Sequence, residues 1–397
     1  MMTSSRRDFI KYMGQAALMM PGIQFITSAI SSDAFAAGRD PRVYEKISAT
    51  PPAQRKLGIA LVGLGKYSTG QLAPALQETR RCRLTGIVTG SPEKAEKWKK
   101  QYGIPEKNIY NYENFDSIKD NPDIDIVYVV LPNALHAEYT IRAAKAGKHV
   151  ICEKPMAVSV QECEDMIAAC HEADRLLSIG YRLHFEPHNL AMAEFGQNKT
   201  FGAVKKIIAK DGLDIEPNVW RLNKKLAGGG PLMDVGIYCV QGAIYTTGEL
   251  PVAITAKEGK KTDLNRFKEV EQSMSWTMEF PSGAIAECET SYAKEMDLLR
   301  AEAEEGWFEL EPAYAYDGIK SRASDGPFDF PQVREQALQM DDFVTCVNNN
   351  KKSKVSGEIG LRDMKILRAI YEAASTGKKI RLSEFTARWR RKNLMHQ

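Results

Sequence analysis

A short apolar run that leads into a glycine turn constrains this chain more than any other feature. The run covers residues 57–62, the turn reads Gly63-Leu64-Gly65-Lys66-Tyr67-Ser68, and a helical stretch follows to about residue 79. A strand, a glycine turn and a helix in this order are typical of the first unit of a dinucleotide-binding sheet. Gly63 permits the tight turn, and Gly65 lets the backbone approach a pyrophosphate at the helix N-terminus. Ser68, at the third glycine position, is small enough for close helix–strand packing. The pattern therefore predicts dinucleotide binding.

Further apolar runs alternate with helical stretches and predict the rest of the first domain. Strands are expected at 84–89, 125–131, 149–152 and 176–180, with a helix over 160–173. Near-continuous apolar strands separated by helices are typical of a buried parallel sheet. We predict an α/β fold whose N-terminal Rossmann domain, a doubly wound sheet, spans residues 57–180.

The second half of the chain has a different pattern. Residues 273–280 alternate apolar and polar side chains, and Pro281-Ser282-Gly283 turns them into a second run over 284–290. This is a hairpin pattern. Strands are also expected at 203–210, 252–257 and 305–309, and helices at 333–347 and 361–376. We predict an α+β domain over 181–397 with a large, open, mostly antiparallel sheet, whose last helices are able to pack back on the Rossmann domain.

Composition excludes several classes of protein. With 43% hydrophobic and 26% charged residues among 397, the chain is neither disordered, fibrous nor a polytopic membrane protein. A net charge of +3 with scattered basic residues lacks the footprint of a nucleic-acid binder. The seven cysteines include no CxxC pair, and they and the six histidines predict neither a disulfide framework nor a metal site.

The N-terminus resembles an export signal. Arg6 and Arg7 precede a mildly apolar stretch, which is too interrupted by polar residues and Pro21 to form a stable membrane anchor, and Ala34-Phe35-Ala36 has the pattern of a signal-peptidase site. We expect a twin-arginine signal peptide over 1–36, cleavage after Ala36, and a periplasmic location. The alternative is a disordered basic tail. Residues 37–56 carry three prolines and are expected to form an extended arm.

The end of the second strand indicates which dinucleotide is bound. An NAD site places Asp or Glu there to bind the ribose 2′-hydroxyl. This chain instead reads Thr89-Gly90-Ser91-Pro92-Glu93-Lys94, with no acid at the strand end. Ser91 and Lys94 suit a 2′-phosphate, which favours NADP over NAD. The alternative is that Lys94 is one of several solvated lysines on its helix.

Polar clusters follow other strands and one glycine-rich turn. Pro132-Asn133-Ala134-Leu135-His136 and Glu153-Lys154-Pro155 each come directly after an apolar strand, where doubly wound sheets bind ligands. In the second half, Gly228-Gly229-Gly230 precedes Asp234 and Tyr238, which are four residues apart and hence on one helical face. Taken alone, such a pair is more often a surface feature than a catalytic one.

Four motifs in order resemble one family. GLGK after the first strand, Glu153-Lys154-Pro155, Gly180-Tyr181-Arg182 and GGGxxxDxGxY resemble the glucose–fructose oxidoreductase / inositol dehydrogenase (Gfo/Idh/MocA) family over essentially all of residues 57–380. The similarity is greatest to its glucose–fructose oxidoreductase branch. That resemblance implies twin-arginine export, a retained NADP covered by a proline-bearing arm, sugar substrates, and a homodimer or homotetramer formed through the C-terminal sheets.

The resemblance also implies roles for particular residues. Lys154 would lie beside the nicotinamide and the substrate hydroxyl, Asp234 would orient the sugar, and Tyr238, where many members have His, would transfer the proton. Lys154 is also a candidate proton carrier, so the two alternatives stay open. The resemblance assigns the pyrophosphate and adenosine to Gly63, Leu64, Gly65, Lys66 and Tyr67, and the 2′-phosphate to Ser91 and Lys94. It assigns the nicotinamide half to Pro132, Asn133, Leu135, His136, Glu153, Lys154 and Arg182. Weaker candidates from the second domain are Trp220, Arg221 and Tyr316.

The sequence therefore predicts an NADP-dependent periplasmic sugar oxidoreductase that oxidises an aldose hydroxyl and reduces a second sugar carbonyl with the same bound cofactor. Three alternatives remain. The first is a redox-assisted NAD-dependent glycosidase, the second is an ordinary sugar or polyol dehydrogenase, and the third is a non-catalytic NADP-dependent sensor. Intact Lys154, Asp234 and Tyr238 argue against the sensor.

Overall fold

The structure, a computed structural model, describes residues 55–384. The expected signal peptide, its cleavage site and most of the expected arm lie outside these residues. The first sheet has the strand order β3-β2-β1-β4-β5-β6, with every pair parallel. The order reverses between β1 and β4, and ligands bind at such a switch point. The strands are β1 Leu57–Val62, β2 Cys82–Val88, β3 Ile109–Tyr110, β4 Ile126–Val129, β5 His149–Cys152 and β6 Leu177–Ile179.

Four helices cover this sheet, and their ends follow from local sequence. Ser91 begins α2 by accepting a hydrogen bond from the Lys94 amide, and Ser159 begins α4 in the same way through Glu162. Such caps satisfy amides that have no partner within the helix. Gly103 ends α2 in the left-handed conformation, at φ +64°. The helices are α1 Ala73–Glu78, α2 Pro92–Tyr102, α3 His136–Lys145 and α4 Val160–Glu172.

The second sheet confirms the expected fold class and is larger than the sequence indicated. Within residues 55–384 its order is β13-β12-β11-β7-β10-β9-β8-β14, and its neighbours are antiparallel except β7 and β10. The long strand β11, which the sequence analysis missed, pairs with β7. The strands are β7 Val204–Asp214, β8 Ala253–Glu258, β9 Ser273–Glu279, β10 Ile285–Ser291, β11 Ala293–Ala303, β12 Gly306–Leu310, β13 Ser321–Ala323 and β14 Ile380–Arg381.

Five further helices complete the described chain. One face of the second sheet packs against α7, and the last two helices return to the first sheet. Met340 and Phe343 of α8 join the same apolar core as Leu61 and Leu72 near the start of the described chain. The helices are α5 Pro187–Gln197, α6 Lys224–Ala227, α7 Ile237–Thr247, α8 Glu335–Asn348 and α9 Gly357–Thr376.

Three features of residues 55–384 concern membrane spans, metal sites and disulfide bonds. In this range no helix combines the length and the apolar composition that a membrane crossing needs. The described His, Cys, Asp and Glu side chains form no group of three arranged to hold a metal ion. All seven cysteines are free thiols, six of them buried.

Candidate active site

The turn after β1 is shaped for close approach by a ligand. Gly63 has φ +94°, and a Cβ there would lie 2.5 Å from the Val130 carbonyl oxygen, so the position requires glycine. A Cβ at Gly65 would meet nothing within 4 Å, which leaves open space beside that backbone. Ser68 donates a 2.6 Å hydrogen bond to the Gly63 carbonyl and holds the turn against the first helix. The open backbone at the start of the helix fits a dinucleotide pyrophosphate.

Other residues of the turn are oriented differently. Leu64 is buried and packs into the core of the first domain, so only its backbone is available to a ligand. Lys66 forms a 2.8 Å ion pair with Glu216, and the two side chains are 91% and 70% exposed. Such an exposed pair contributes little and leaves the ammonium free to exchange partners. The Tyr67 ring lies 6.1 Å from the Tyr316 ring, centroid to centroid, so these two tyrosines flank the same side of the turn.

Ser91 and Lys94 lie at the carboxyl end of β2, as the sequence indicated. The Ser91 Oγ accepts the Lys94 amide proton at 3.3 Å, which fixes the hydroxyl at the helix cap and leaves its own proton for a ligand oxygen. The Lys94 Nζ reaches back 3.2 Å to the Leu64 carbonyl oxygen, so the ammonium lies over the glycine turn. A hydroxyl and an ammonium at this edge fit a 2′-phosphate. Their assignment to NADP remains a prediction.

The segment after β4 supports the fold as well as the cleft. Asn133 donates a 2.9 Å hydrogen bond to the Ala227 carbonyl, which joins this segment to the glycine-rich turn of the second half. His136 is fully buried, and its ring nitrogens lie 2.9 Å from the Pro155 oxygen and 2.8 Å from the Leu131 oxygen. Both nitrogens are therefore engaged with the backbone. The predicted contact of His136 with the nicotinamide stays a prediction, and it would not use a hydrogen bond from a free ring nitrogen. Pro132 and Leu135 are half-buried at the same edge.

Glu153 forms a buried support directly behind Lys154. The Tyr128 hydroxyl donates to Glu153 at 2.7 Å, and the Lys154 amide donates to it at 3.2 Å. Burial raises the pKa of Glu153 despite these bonds. A Cβ at Gly180 would lie 2.4 Å from the Glu153 Oε1, which explains why glycine stands before Tyr181-Arg182.

Lys154 and Asp234 meet across the cleft between the two sheets. The Lys154 Nζ donates to the Asp234 carbonyl at 2.5 Å and lies 3.3 Å from its Oδ1. A single π-helical turn over Leu232–Gly236 places Asp234 there. Burial opposes the Lys154 charge, but Tyr238 and Asp234 outweigh it and raise the pKa of the ammonium. Lys154 is therefore a cation at neutral pH.

Asp234 is held by three partners. Its Oδ2 accepts a 2.9 Å hydrogen bond from the Tyr292 hydroxyl and lies 2.9 Å from the Arg221 Nε. Burial alone would raise the pKa of Asp234, but Arg221 and Lys154 outweigh it and lower the pKa to about 2. Arg221, grouped with the cofactor residues in the sequence analysis, lies here on the Asp234 side and packs 4.7 Å from the Trp220 ring. Tyr292 was missed, although the alternation of β10 continued by one residue would have found it.

The Tyr238 ring is bounded by two cations and a second tyrosine. The Lys154 Nζ lies 4.7 Å from the ring centroid and the Arg182 guanidinium carbon 5.4 Å from it. The Tyr314 ring stacks on Tyr238 at 5.9 Å and 19°. A phenol in this setting is fixed on one face by aromatic packing and lies within reach of positive charge.

Arg182 itself is embedded in the protein. It pairs with Glu335 at 2.8 Å, with the two side chains only 3% and 2% exposed. It also donates to the Tyr314 and Ala315 carbonyls, and its guanidinium carbon lies 4.2 Å from the centroid of the half-exposed Tyr316 ring. Arg182 was predicted to line the nicotinamide, whereas these contacts place it behind the tyrosines. Glu335 lies 153 residues further along the chain, and no local pattern indicated the pair.

Chemically, the cleft joins an open glycine turn to a fixed ammonium, carboxylate and phenol. Asp234 is held as a carboxylate, so the Tyr238 phenol and the Lys154 side chain are the two candidate proton carriers of the group. An arrangement of this kind can remove a proton from a hydroxyl while hydride leaves the adjacent carbon.

Comparisons with known proteins agree with this geometry. A model described as an oxidoreductase family with an NAD-binding Rossmann fold, GFO_IDH_MocA, matches residues 57–181, and the GFO/IDH/MocA C-terminal domain matches residues 190–308. The chain is 44% identical to an aldose-aldose oxidoreductase from Caulobacter crescentus, solved with glycerol, and the superposition covers 82% of this chain and 100% of that one at a TM-score of 0.81. It is 29% identical to a D-xylose 1-dehydrogenase [NADP(+)] from Haloarcula marismortui over 88% of this chain and 99% of that one. It is 25% identical to a D-glucoside 3-dehydrogenase from Escherichia coli over 82% and 97%.

Proposed function

The chain belongs to the GFO/IDH/MocA family of oxidoreductases, and from that membership we propose that it is an NADP-dependent sugar oxidoreductase that oxidises one sugar and reduces another with the same bound cofactor. The observation that carries the proposal is the 44% identity to an aldose-aldose oxidoreductase whose full length is covered. Two further relatives named as sugar dehydrogenases support the substrate class.

NADP is the cofactor, and this chain has residues that fit it. The backbone at Gly63 and Gly65 would hold the pyrophosphate, and Ser91 with Lys94 would hold the 2′-phosphate, since a hydroxyl and an ammonium at the end of β2 can both donate to phosphate oxygens. When bound, the nicotinamide supplies the site that accepts a hydride from the sugar carbon.

The proton of the sugar hydroxyl goes to the Tyr238 oxygen, which accepts it as the phenolate and becomes the phenol. Lys154, whose pKa is raised by Tyr238 and Asp234, serves as the ammonium beside Tyr238. Its role is to donate a hydrogen bond and to stabilise negative charge on the phenol oxygen, together with Arg182 on the ring. Asp234 stays ionised and accepts a hydrogen bond that orients the sugar. In the reverse half-reaction the same phenol returns its proton to the carbonyl oxygen that is reduced.

The proposed periplasmic location explains why the reaction needs a second sugar. The twin-arginine pattern at Arg6 and Arg7 supports export of the folded chain to the periplasm, where free NADP is scarce. A cofactor loaded before export has to be retained and re-oxidised in place. A second sugar carbonyl that enters the same pocket after the first product leaves provides that oxidant, and the product of the first half-reaction is a lactone.

The exposed face of the second sheet supports a homo-oligomer. On the side opposite α7, Lys206 and Lys210 of β7 pair with Glu287 and Glu289 of β10 at 2.8 and 3.4 Å and remain partly exposed. Two copies that pack these faces would form a homodimer, and two such dimers a homotetramer. Because ion pairs cover this face, sedimentation at rising salt should show that the oligomer dissociates.

The cofactor cycle is tested by absorbance at 340 nm on freshly purified full-length protein. One aldose alone should give a single rise equal to the bound NADP, and a second sugar should reverse it. Initial rates with both sugars should follow ping-pong kinetics. Continuous reduction of added NADP by protein purified without cofactor would indicate an ordinary sugar dehydrogenase, the candidate favoured by the D-xylose relative. Cleavage of a glycoside without an acceptor would indicate the redox-assisted glycosidase.

A further inference from the structure

One acid of the second sheet has no part in the contacts described so far. Asp211, near the end of β7, is buried, with 8% of its surface exposed. It lies opposite Thr290 of β10 on one side and Asp297 of β11 on the other. Because neighbours in register point to the same face of a sheet, these three side chains share the face that α7 covers.

Both neighbours of Asp211 contact walls of the candidate site. The Thr290 hydroxyl lies 3.4 Å from the Pro231 oxygen, at the turn that carries Asp234, and Tyr292, two residues on, donates to Asp234. On the other side, the Asp297 Oδ1 accepts the Tyr314 amide proton at 2.7 Å, and Tyr314 stacks on Tyr238. Asp211 therefore lies on the sheet between the support of Asp234 and the support of Tyr238.

The two adjacent acids differ in their hydrogen bonding. The Asp297 Oδ1 accepts the amide protons of Ala313 and Tyr314 at 2.6 and 2.7 Å, so this oxygen is occupied by the backbone. Within residues 55–384, no hydrogen-bond donor and no ion-pair partner lies at contact distance from the Asp211 carboxyl. Its oxygens are not fully enclosed by the protein. A largely buried acid whose oxygens have no protein partner and are not fully enclosed can bind a ligand, and acids with perturbed pKa values concentrate at functional sites.

The charges of the site also act on Asp211. Burial, followed by the charge of Asp297, raises the pKa of Asp211 well above its ordinary value, while Lys154 acts in the opposite direction. A raised pKa favours the neutral form, in which a carboxyl can both donate and accept a hydrogen bond. That combination matches a sugar hydroxyl, which also does both, better than it matches a cation or an anion.

We propose that Asp211 binds a hydroxyl of the sugar substrate away from the reacting carbon and so determines which sugars are oxidised. This inference rests on the proposed function. The sugar then lies between Asp211 on the sheet and the Lys154–Asp234–Tyr238 group at its reacting end. Sugars that lack the bonded hydroxyl leave a buried polar group unpaired and are rejected.

The test compares a substrate sugar with its singly deoxygenated derivatives. For the wild type, kcat/KM should fall at least about tenfold for the derivative without the bonded hydroxyl, the loss expected when a buried polar group is left unpaired. Asp211→Leu, which keeps the number and branching of the side-chain atoms but removes the polar oxygens, should use this derivative and the parent sugar within about threefold of each other. Asp211→Asn keeps a donor and an acceptor and should restore discrimination. Asp214→Asn, at the exposed end of the same strand, is the control and should match the wild type.

The results distinguish failure of the role of Asp211 from failure of the proposed function. Discrimination by Asp211→Leu equal to that of the wild type refutes the role of Asp211 and leaves the proposed function standing. If Asp211→Leu does not fold, Asp211→Ala is measured in its place with the same expectation. A wild type whose bound NADP is reduced by none of the sugars refutes the proposed function, and this inference with it.

Discussion

Breaking the buried ion pair between Arg182 and Glu335 should lower the stability of the protein, and unfolding measurements test this. Replacing Arg182 with Met leaves Glu335 in a 2% exposed position without its counter-charge, and it leaves the Tyr314 and Ala315 carbonyls without a donor. Removing one partner of a buried pair costs about 3–5 kcal/mol. We expect Arg182→Met to lower the free energy of unfolding by about 4 kcal/mol at pH 8.

The double variant Arg182→Met, Glu335→Gln separates the charge from the packing. Only the two carbonyls then remain unpartnered, at about 1 kcal/mol each, so the double variant should lose about 2 kcal/mol and be more stable than the single one. Urea unfolding of the full chain, followed by tryptophan fluorescence, measures both.

The pH dependence follows from burial. Burial raises the pKa of Glu335 even beside Arg182, and without the arginine the pKa rises further. A group whose pKa is raised in the folded state contributes stability at low pH and loses it as pH rises. The gap between Arg182→Met and the wild type should therefore be smaller at pH 5 than at pH 8. A cost under about 1 kcal/mol, or a double variant no more stable than the single one, would refute the reasoning.

Three further predictions concern the cofactor, the proton and the fold. Lys94→Ala should weaken NADP binding about 10- to 100-fold and NAD little, because only NADP carries the 2′-phosphate; equal losses in titrations of both cofactors would remove Lys94 from this role. Tyr238→Phe should lower turnover about 10²–10⁴-fold in stopped-flow assays with bound cofactor retained, and Lys154→Ala should do the same. Near-normal turnover of Tyr238→Phe would leave Lys154 as the candidate. Gly180→Ala should cost about 1–3 kcal/mol in urea unfolding because its methyl group would overlap the Glu153 carboxyl; an unchanged midpoint would show that this carboxyl moves freely.

The strands and the main site motifs were predictable because their signals are local. The run at 57–62, its glycine turn and the hairpin at 273–290 each show a periodicity or a turn that lies within a few residues. Strand β11 was missed because its sequence, AKEMDLLRAEA, is charged and reads as helical. Its conformation follows from pairing with β7, a contact that no local pattern contains.

Two of the predicted site residues have contacts that no local pattern shows. His136 and Arg182 follow the predicted strands at the right edge, but the partners that hold them are carbonyls and a carboxylate from distant segments. Asp211 was overlooked because it belongs to the second sheet, where the side-chain face is set by register. The sequence indicates which edge of a sheet carries polar groups, and only the packed chain determines which of them face the cleft.

The return of α8 to the first sheet has a consequence for how this protein is made. Met340 and Phe343 complete a core that begins with Leu61 and Leu72, so the dinucleotide-binding half lacks part of its interior until almost the whole chain has been synthesised. Contacts between such distant segments form slowly, because a long loop has to close before they contribute. A ribosome-bound chain ending before residue 335 should therefore display an apolar strip on that half and recruit chaperones. Folding is completed only after translation ends, and any transport of the folded protein has to follow it.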